Sequence, residues 1–153
     1  MKNHFPFLLP LLLLASCGHP TLVDETHPFD NNRWMRFEPE LFSVPVRNTD
    51  ASHSIILTLL YDTTLYNAKA LPLVVDFYAD SNERHNFTPS IKLIDLKGNR
   101  RGTLLDNYCT VSDTIDRNRY FNQRDTYTYR IKQRTSKYQI DGICSLNFKV
   151  IQN

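Results

Sequence analysis

From Trp34 onward, apolar residues come in short runs separated by turn-forming clusters, and in several runs they alternate with polar ones. In DTYTYRIKQR (125–134), Tyr127, Tyr129 and Ile131 fall on one side of an extended chain and Thr128, Arg130 and Lys132 on the other, because successive Cβ atoms of a strand point to opposite faces. GICSLNFKVIQ (142–152) repeats the pattern, with Cys144, Leu146, Phe148 and Val150 expected inward against Ser145, Asn147 and Lys149. HSIILTLLYD (53–62) and LPLVVDFYAD (71–80) are almost continuously apolar, which predicts strands central in a sheet or covered on both faces. In the second, Leu73, Val75 and Phe77 make the stricter apolar face, against Asp76 and Tyr78. RFEPELFSVPV (36–46) is rich in strand formers, but Pro39 and Pro45 confine it to an edge or break it. SIKLIDLKGNRRGTLL (90–105) reads as a strand, a turn at Lys97-Gly98-Asn99 and a second strand from near Gly102. No stretch beyond residue 20 keeps a helical apolar period for three turns. The pattern predicts an all-β domain over residues 33–153, an antiparallel β-sandwich of about seven or eight strands.

The first twenty residues follow a different rule. A short polar start with Lys2 leads into an apolar core from Phe5 to Leu14 that contains Pro6 and Pro10. At 1.5 Å per residue such a core spans about 15 Å, half of a hydrocarbon layer of about 30 Å, so it reads as a secretory signal and not a membrane span. Leu14-Ala15-Ser16-Cys17-Gly18 then resembles the lipobox of bacterial lipoproteins. Leu14 fills an apolar subsite, the small Ala15 and Ser16 admit a peptidase to the bond before Cys17, and the Cys17 thiol takes a diacylglyceryl group. One acyl chain holds a protein only reversibly and stable anchoring needs at least two, which lipidated Cys17 would carry, palmitate among them. Residues 1–16 are therefore expected to be a signal peptide. Residues 17–32, rich in Gly, Pro, Asp and Asn, are expected to form the lipidated Cys and a flexible tether. Gly18 follows the cysteine without the acidic run of surface-exported lipoproteins, which predicts a periplasm-facing domain.

Removing the first 16 of the 153 residues leaves 137, enough for one domain with its own core. Apolar content of 41% and charged content of 22% fit a globular module. The net charge of +2 is small but unevenly placed: from Glu83 onward thirteen Lys and Arg face seven Asp and Glu. Arg117, Arg119, Arg124, Arg130, Lys132 and Arg134 concentrate this surplus between residues 116 and 138. Interleaved Arg and Tyr suit nucleic acid or an acidic glycan, or simply the solvated face of a strand and its loop; an export signal argues against nucleic acid.

Recognisable catalytic constellations are missing from the sequence. There is no G-x-S-x-G elbow, no H-E-x-x-H and no Gly-rich phosphate loop, since the chain has four Gly. His19 and His27 fall in the expected tether, and His53 and His85 border strands as ordinary surface residues. Asp76, Asp80 and Glu83 lack the spacing and central Gly of a calcium loop. No catalytic residue, metal or cofactor is expected. Cys109 and Cys144 could form a disulfide in an oxidising compartment, where it would stabilise by roughly 3–4 kcal/mol, or remain free, Cys144 as a buried thiol. Trp34, Tyr61, Tyr66 and Tyr78 could make a surface that stacks on sugars, or pack in the core. Asp62-Thr63-Thr64 and Asp113-Thr114-Ile115 look like short O-glycosylation sites of exported Bacteroidetes proteins.

The order of these features resembles one family. A lipobox leads to an early Trp in NNRWMRFEPELFSVPVRN, then to the turn IKLIDLKGNRRG, and the chain closes on TYTYRIKQRTSKYQIDGICSLNFKVI. This resembles the gliding-motility lipoprotein family GldH of Bacteroidetes. The matching residues are Trp34, the turn Asp95-Lys97-Gly98 with Gly102, the strand Tyr127-Tyr129-Ile131-Gln133, and Gly142-Ile143. DTTLYNAKALPLVV stands where the family carries a Tyr-Pro-Tyr-x-Asn-Leu stretch. The resemblance implies a non-enzymatic lipoprotein of the cell envelope, associated with gliding and type IX secretion machinery, and supplies no catalytic residue. The expected function is that of an accessory or scaffold, joined to a membrane by its lipid and to an envelope protein through the basic stretch. The alternatives are a lipoprotein that captures glycans or peptides on an aromatic surface, and a hydrolase, which would need convergent polar residues in a pocket.

Overall fold

A computed structural model describes residues 18–81 and 84–153. The expected signal segment and the expected lipidation site Cys17 lie outside the described residues, as does Glu83 of the calcium trio considered. The described chain forms β1 (Thr21–Pro28), β2 (Arg33–Met35), β3 (Glu40–Pro45), β4 (His53–Asp62), β5 (Ala70–Ala79) and β6 (Arg84–Phe87). The second half forms β7 (Ser90–Lys92), β8 (Thr103–Leu105), β9 (Tyr108–Arg119), β10 (Thr126–Gln133), β11 (Gln139–Asp141) and β12 (Ile143–Gln152). The fold is all-β and antiparallel, as expected, but with twelve strands among the described residues. The additional ones are mostly pieces of three or four residues, too short to leave a period in sequence.

Two sheets face one another. The first runs β1-β12-β4-β9-β8 and the second β3-β10-β5-β6, with β7 following β6 along the same edge of β5; β2 and β11 form a separate ribbon. The apolar runs β4 and β5 are central strands, each paired on both sides. Their alternation sends Ile55, Leu57, Leu59 and Tyr61 inward from β4 and Leu71, Leu73, Val75 and Phe77 inward from β5. Their opposite faces are only half buried, so neither strand is covered on both sides. β10 alternates as read, with Tyr127, Tyr129 and Ile131 buried. Across the interior, Phe148 of β12 stacks on Phe42 of β3 at 4.7 Å and leans on Tyr129 of β10 at 5.1 Å. β3 is an edge strand that starts just after Pro39.

Several expectations are corrected here. The stretch read as a tether carries β1, which pairs along β12 from Thr21 to Pro28. Its polar composition hid it, because an edge strand facing solvent needs main-chain pairing more than apolar side chains. His27 is held rather than floppy: its ring stacks on Phe42 at 4.2 Å, and its two nitrogens lie 2.7 Å from Glu40 and 2.8 Å from Glu25. His53 is fully buried on the inward face of β4, against Phe121, and not a surface residue. The turn at Asp95 is present. Its carboxylate accepts hydrogen bonds from the Lys97 and Asn99 backbone N–H groups, and Gly98 adopts φ +86°. The strand after it pairs with β9 instead of returning on β7, so the turn carries the chain from the second sheet to the first.

Cys109 and Cys144 are free thiols. Tyr61 pairs with Cys109 on one side and with Ile143 on the other, so β4 separates the two cysteine-bearing strands. Two strand spacings amount to roughly 9.6 Å, beyond the roughly 7 Å between Cα atoms that a disulfide can span. A register shift between Ile143 and Ser145 also reverses the expected phase at the start of β12: Ile143 points inward and Cys144 is only half buried. Burial, then the nearby Asp62 charge, raise the Cys144 pKa.

The His27 clasp joins the edge of one sheet to the edge of the other. Burial lowers the imidazole pKa, but the hydrogen bonds to Glu25 and Glu40 outweigh it and the net shift is upward. A raised folded pKa means stability that is complete below the unfolded value of about 6.5 and lost as pH climbs through the folded one. Relative to His27→Gln, the wild-type protein should lose thermal stability between about pH 6 and pH 8. Parallel unfolding profiles for the two proteins across that range would remove the clasp from the account.

Candidate partner surface

The six basic residues of the 116–138 stretch do not form one patch. Arg119 closes on Asp116 at 2.6 Å and lays its guanidinium over the Phe77 ring at 4.9 Å, so its charge is spent inside the fold. Arg117 and Arg124 are exposed at the end of β9 and in the loop before β10. Arg124 borders an open hollow of about 500 Å³ with Pro45, Arg47 and Asp125.

Arg130, Lys132 and Arg134 sit together. β10 is interior to the second sheet, and its alternation turns Arg130 and Lys132 to the solvent face while Tyr129, Ile131 and Gln133 turn inward; Arg134 follows one residue beyond the end of β10 and is exposed. In register, Arg130 lies between Leu41 of β3 and Asp76 of β5, and Lys132 lies beside Val74. The Lys132 ammonium is 3.9 Å from the Asp76 carboxylate, while the Arg134 backbone N–H donates to Pro72 and leaves its side chain exposed.

The structure adds two residues to this face. Arg84 of β6 places its guanidinium 5.4 Å from the centre of the Tyr78 ring. Such a cation over an aromatic face is held by the ring's quadrupole. Arg84, Tyr78, Asp76, Asn86 and Arg130 line a hollow of about 320 Å³. Further along, Pro72, Arg134, Lys137 and Leu65 line another of about 420 Å³. Only partner strands bring Arg84 here; the four residues RHNF carry no alternation that would announce a strand.

The four aromatics considered as a stacking surface do not make one. Trp34 and Tyr61 are fully buried and Tyr66 nearly so. Burial pushes the Tyr66 phenol up to about 12, and its hydroxyl donates to the Ala70 carbonyl at 3.4 Å. Tyr78 alone is partly exposed. Exposed rings occur elsewhere: Phe37 and Tyr138 meet at 5.8 Å beside the β2–β11 ribbon, with Arg36 over Phe37. Of the weighed calcium ligands, Asp76 faces Lys132, and no group of three or more His, Cys, Asp or Glu suited to a metal occurs among the described residues. No helix among them is long and apolar enough to cross a membrane.

A search of curated proteins returns no match. Among solved structures, a chain from Desmodium yellow mottle tymovirus aligns over 100% of this chain and 90% of its own at 14% identity, but its TM-score of 0.22 gives the likeness no weight. The family described as GldH lipoprotein matches residues 21–150, from the first residue of β1 into β12 and through both sheets. By that match the chain belongs to the GldH lipoprotein family.

Proposed function

We propose that this lipoprotein is a non-catalytic adaptor of the bacterial envelope, tied to a membrane through Cys17 and facing the periplasm, that offers the outer face of its second sheet to a protein of gliding or type IX secretion-type machinery. The observation that carries the reading is the grouping of Arg84, Arg130, Lys132 and Arg134 on a solvent-facing sheet surface whose opposite side packs the core. Arg84, Arg130 and Arg134 make no ion pair among the described residues, whereas Arg119 closes on Asp116. Tethering supplies the mechanism: confinement to a thin layer at the membrane raises the effective concentration of the domain for a membrane-bound partner.

A photo-cross-linking amino acid placed in living cells at Thr128, on the outer face of the second sheet, tests the reading against one at Thr58, on the outer face of the first. An adduct with a defined envelope protein should form from Thr128 and not from Thr58. Free monomer from both positions would overturn the adaptor reading, and digestion of the domain by protease added to intact cells would overturn the periplasmic orientation.

A further inference from the structure

We infer that the outer face of the second sheet is a docking surface for an extended acidic segment of a partner protein, laid along β10. The inference rests on the adaptor reading and names the chemistry of the partner. Arg130, Lys132 and Arg134 occupy alternate positions of one extended run, so their Cα atoms repeat about every 6.8 Å. An extended partner chain with Asp or Glu at alternate positions carries carboxylates at the same repeat, so each can meet a cation without either backbone bending.

The charge of the face agrees. Among the described strand residues of this face, Arg84, Arg130 and Lys132, with Arg134 just beyond β10, stand against the carboxylate of Asp76, which Lys132 approaches at 3.9 Å. No ion pair within the fold engages Arg84, Arg130 or Arg134 among the described residues. A guanidinium offers a planar fork that binds a carboxylate through two parallel hydrogen bonds, so two free Arg along one strand favour carboxylates over a diffuse anionic surface. Leu41, half exposed beside Arg130, and Val74, beside Lys132, border the row of cations with apolar surface on which the methylenes of the acidic side chains can lie.

The entry of the chain disfavours headgroups as the occupant. The Gln152 backbone N–H donates to the Pro20 carbonyl at 2.8 Å, which ties the start of the domain to the end of β12. Cys17 precedes Pro20 by three residues in the sequence. Pro20 lies at a strand end of the first sheet, away from the outer face of β10 in the second.

The test uses the full lipidated protein in uncharged detergent micelles. The probe is a fluorescent octapeptide of alternating Glu and Thr, compared with the same peptide carrying Gln for Glu. The Glu peptide should bind and the Gln peptide should not, and binding should weaken as salt shortens the screening length below about 10 Å. The double variant Arg130→Glu/Arg134→Glu should bind the Glu peptide at least about tenfold more weakly, and Arg117→Glu/Arg124→Glu, which makes the same change in net charge, less than about twofold. Unchanged thermal unfolding of both variants confirms that they are folded. Equal losses in both variants, no binding of the Glu peptide, or tighter binding to polygalacturonate or to phosphatidylglycerol micelles would each overturn the inference. Cross-linking at Thr128 separates the two proposals. Capture of a partner that contacts the face through a segment without acidic residues sinks the acidic-segment inference and leaves the adaptor standing, whereas free monomer alone sinks the adaptor.

Discussion

Trp34→Ala should unfold the domain at a much lower denaturant concentration than the wild type. Trp34 is the only tryptophan in the chain and is fully buried. Its ring stacks on Phe29 at 4.8 Å, and its indole N–H donates to the Glu38 carbonyl at 3.2 Å. In register it faces Ile140, so this one side chain fastens the β2–β11 ribbon against the sandwich. Truncating a buried Trp to Ala typically costs about 3–5 kcal/mol, through lost burial and the cavity left behind. Domains of this size are stable by about 5–15 kcal/mol, so the loss is roughly a fifth of the total or more. Because the substitution removes the fluorophore, unfolding should be followed by circular dichroism in urea, where a slope of about 1–3 kcal/mol per molar predicts a midpoint lower by 1 M or more. Trp34→Phe keeps a ring over Phe29 and should lose less than half as much. A midpoint unchanged within error in Trp34→Ala would mean that the ribbon is not part of the cooperative unit.

Cys17→Ala should strip the protein of its lipid anchor. A single acyl chain binds bilayers with an association constant of about 10⁴ M⁻¹, and each buried methylene adds about 0.8 kcal/mol, so two or three chains on one residue hold without measurable exchange. No helix among the described residues could replace them. Cells fed an alkyne palmitate should label the wild-type polypeptide and leave Cys17→Ala blank, and the variant should move from the membrane pellet to the soluble fraction or remain unprocessed. The fold should be indifferent to the change, because the first strand of the sandwich begins at Thr21. Label that persists in Cys17→Ala would place the lipid on Cys109 or Cys144, and the anchor would need a different account. Cys109 is fully buried and its thiol donates to the Arg101 carbonyl at 3.2 Å, which makes it a poor acceptor.

The parts legible in the sequence were those where one local rule decides. Alternation identified both faces of β10, most of β12 and the strict face of β5, since a strand with one buried side must repeat its apolar residues every second position. Prolines marked the limits of β3, and the Asp95–Gly98 turn was readable because Gly98 needs φ +86° and the Asp95 side chain caps the backbone beside it. Features set by a distant partner were not legible. β1 is a strand because β12 offers it an open edge, and its polar residues then find Lys149, Asn147 and Glu40 for company. The phase of Cys144 depended on one register shift against β4. The oxidising compartment implied by export allowed a bridge between the two cysteines, but the strand order put β4 between them. Of the six residues read as one basic stretch, two share the solvent face of β10 with a third just beyond its end, one is consumed by Asp116, and two sit at the end of the sandwich.

By itself, then, the amino-acid order determined that this chain is an antiparallel β domain and showed a lipobox-like segment ahead of it, because hydrophobic alternation and a short motif are properties of neighbours along the chain. The tertiary structure decided which strands adjoin, which cysteines can meet, and which cations share a surface. Those depend on pairings between residues as far apart as Thr21 and Ile151, and short-range pattern carries no information about a partner that only folding brings near.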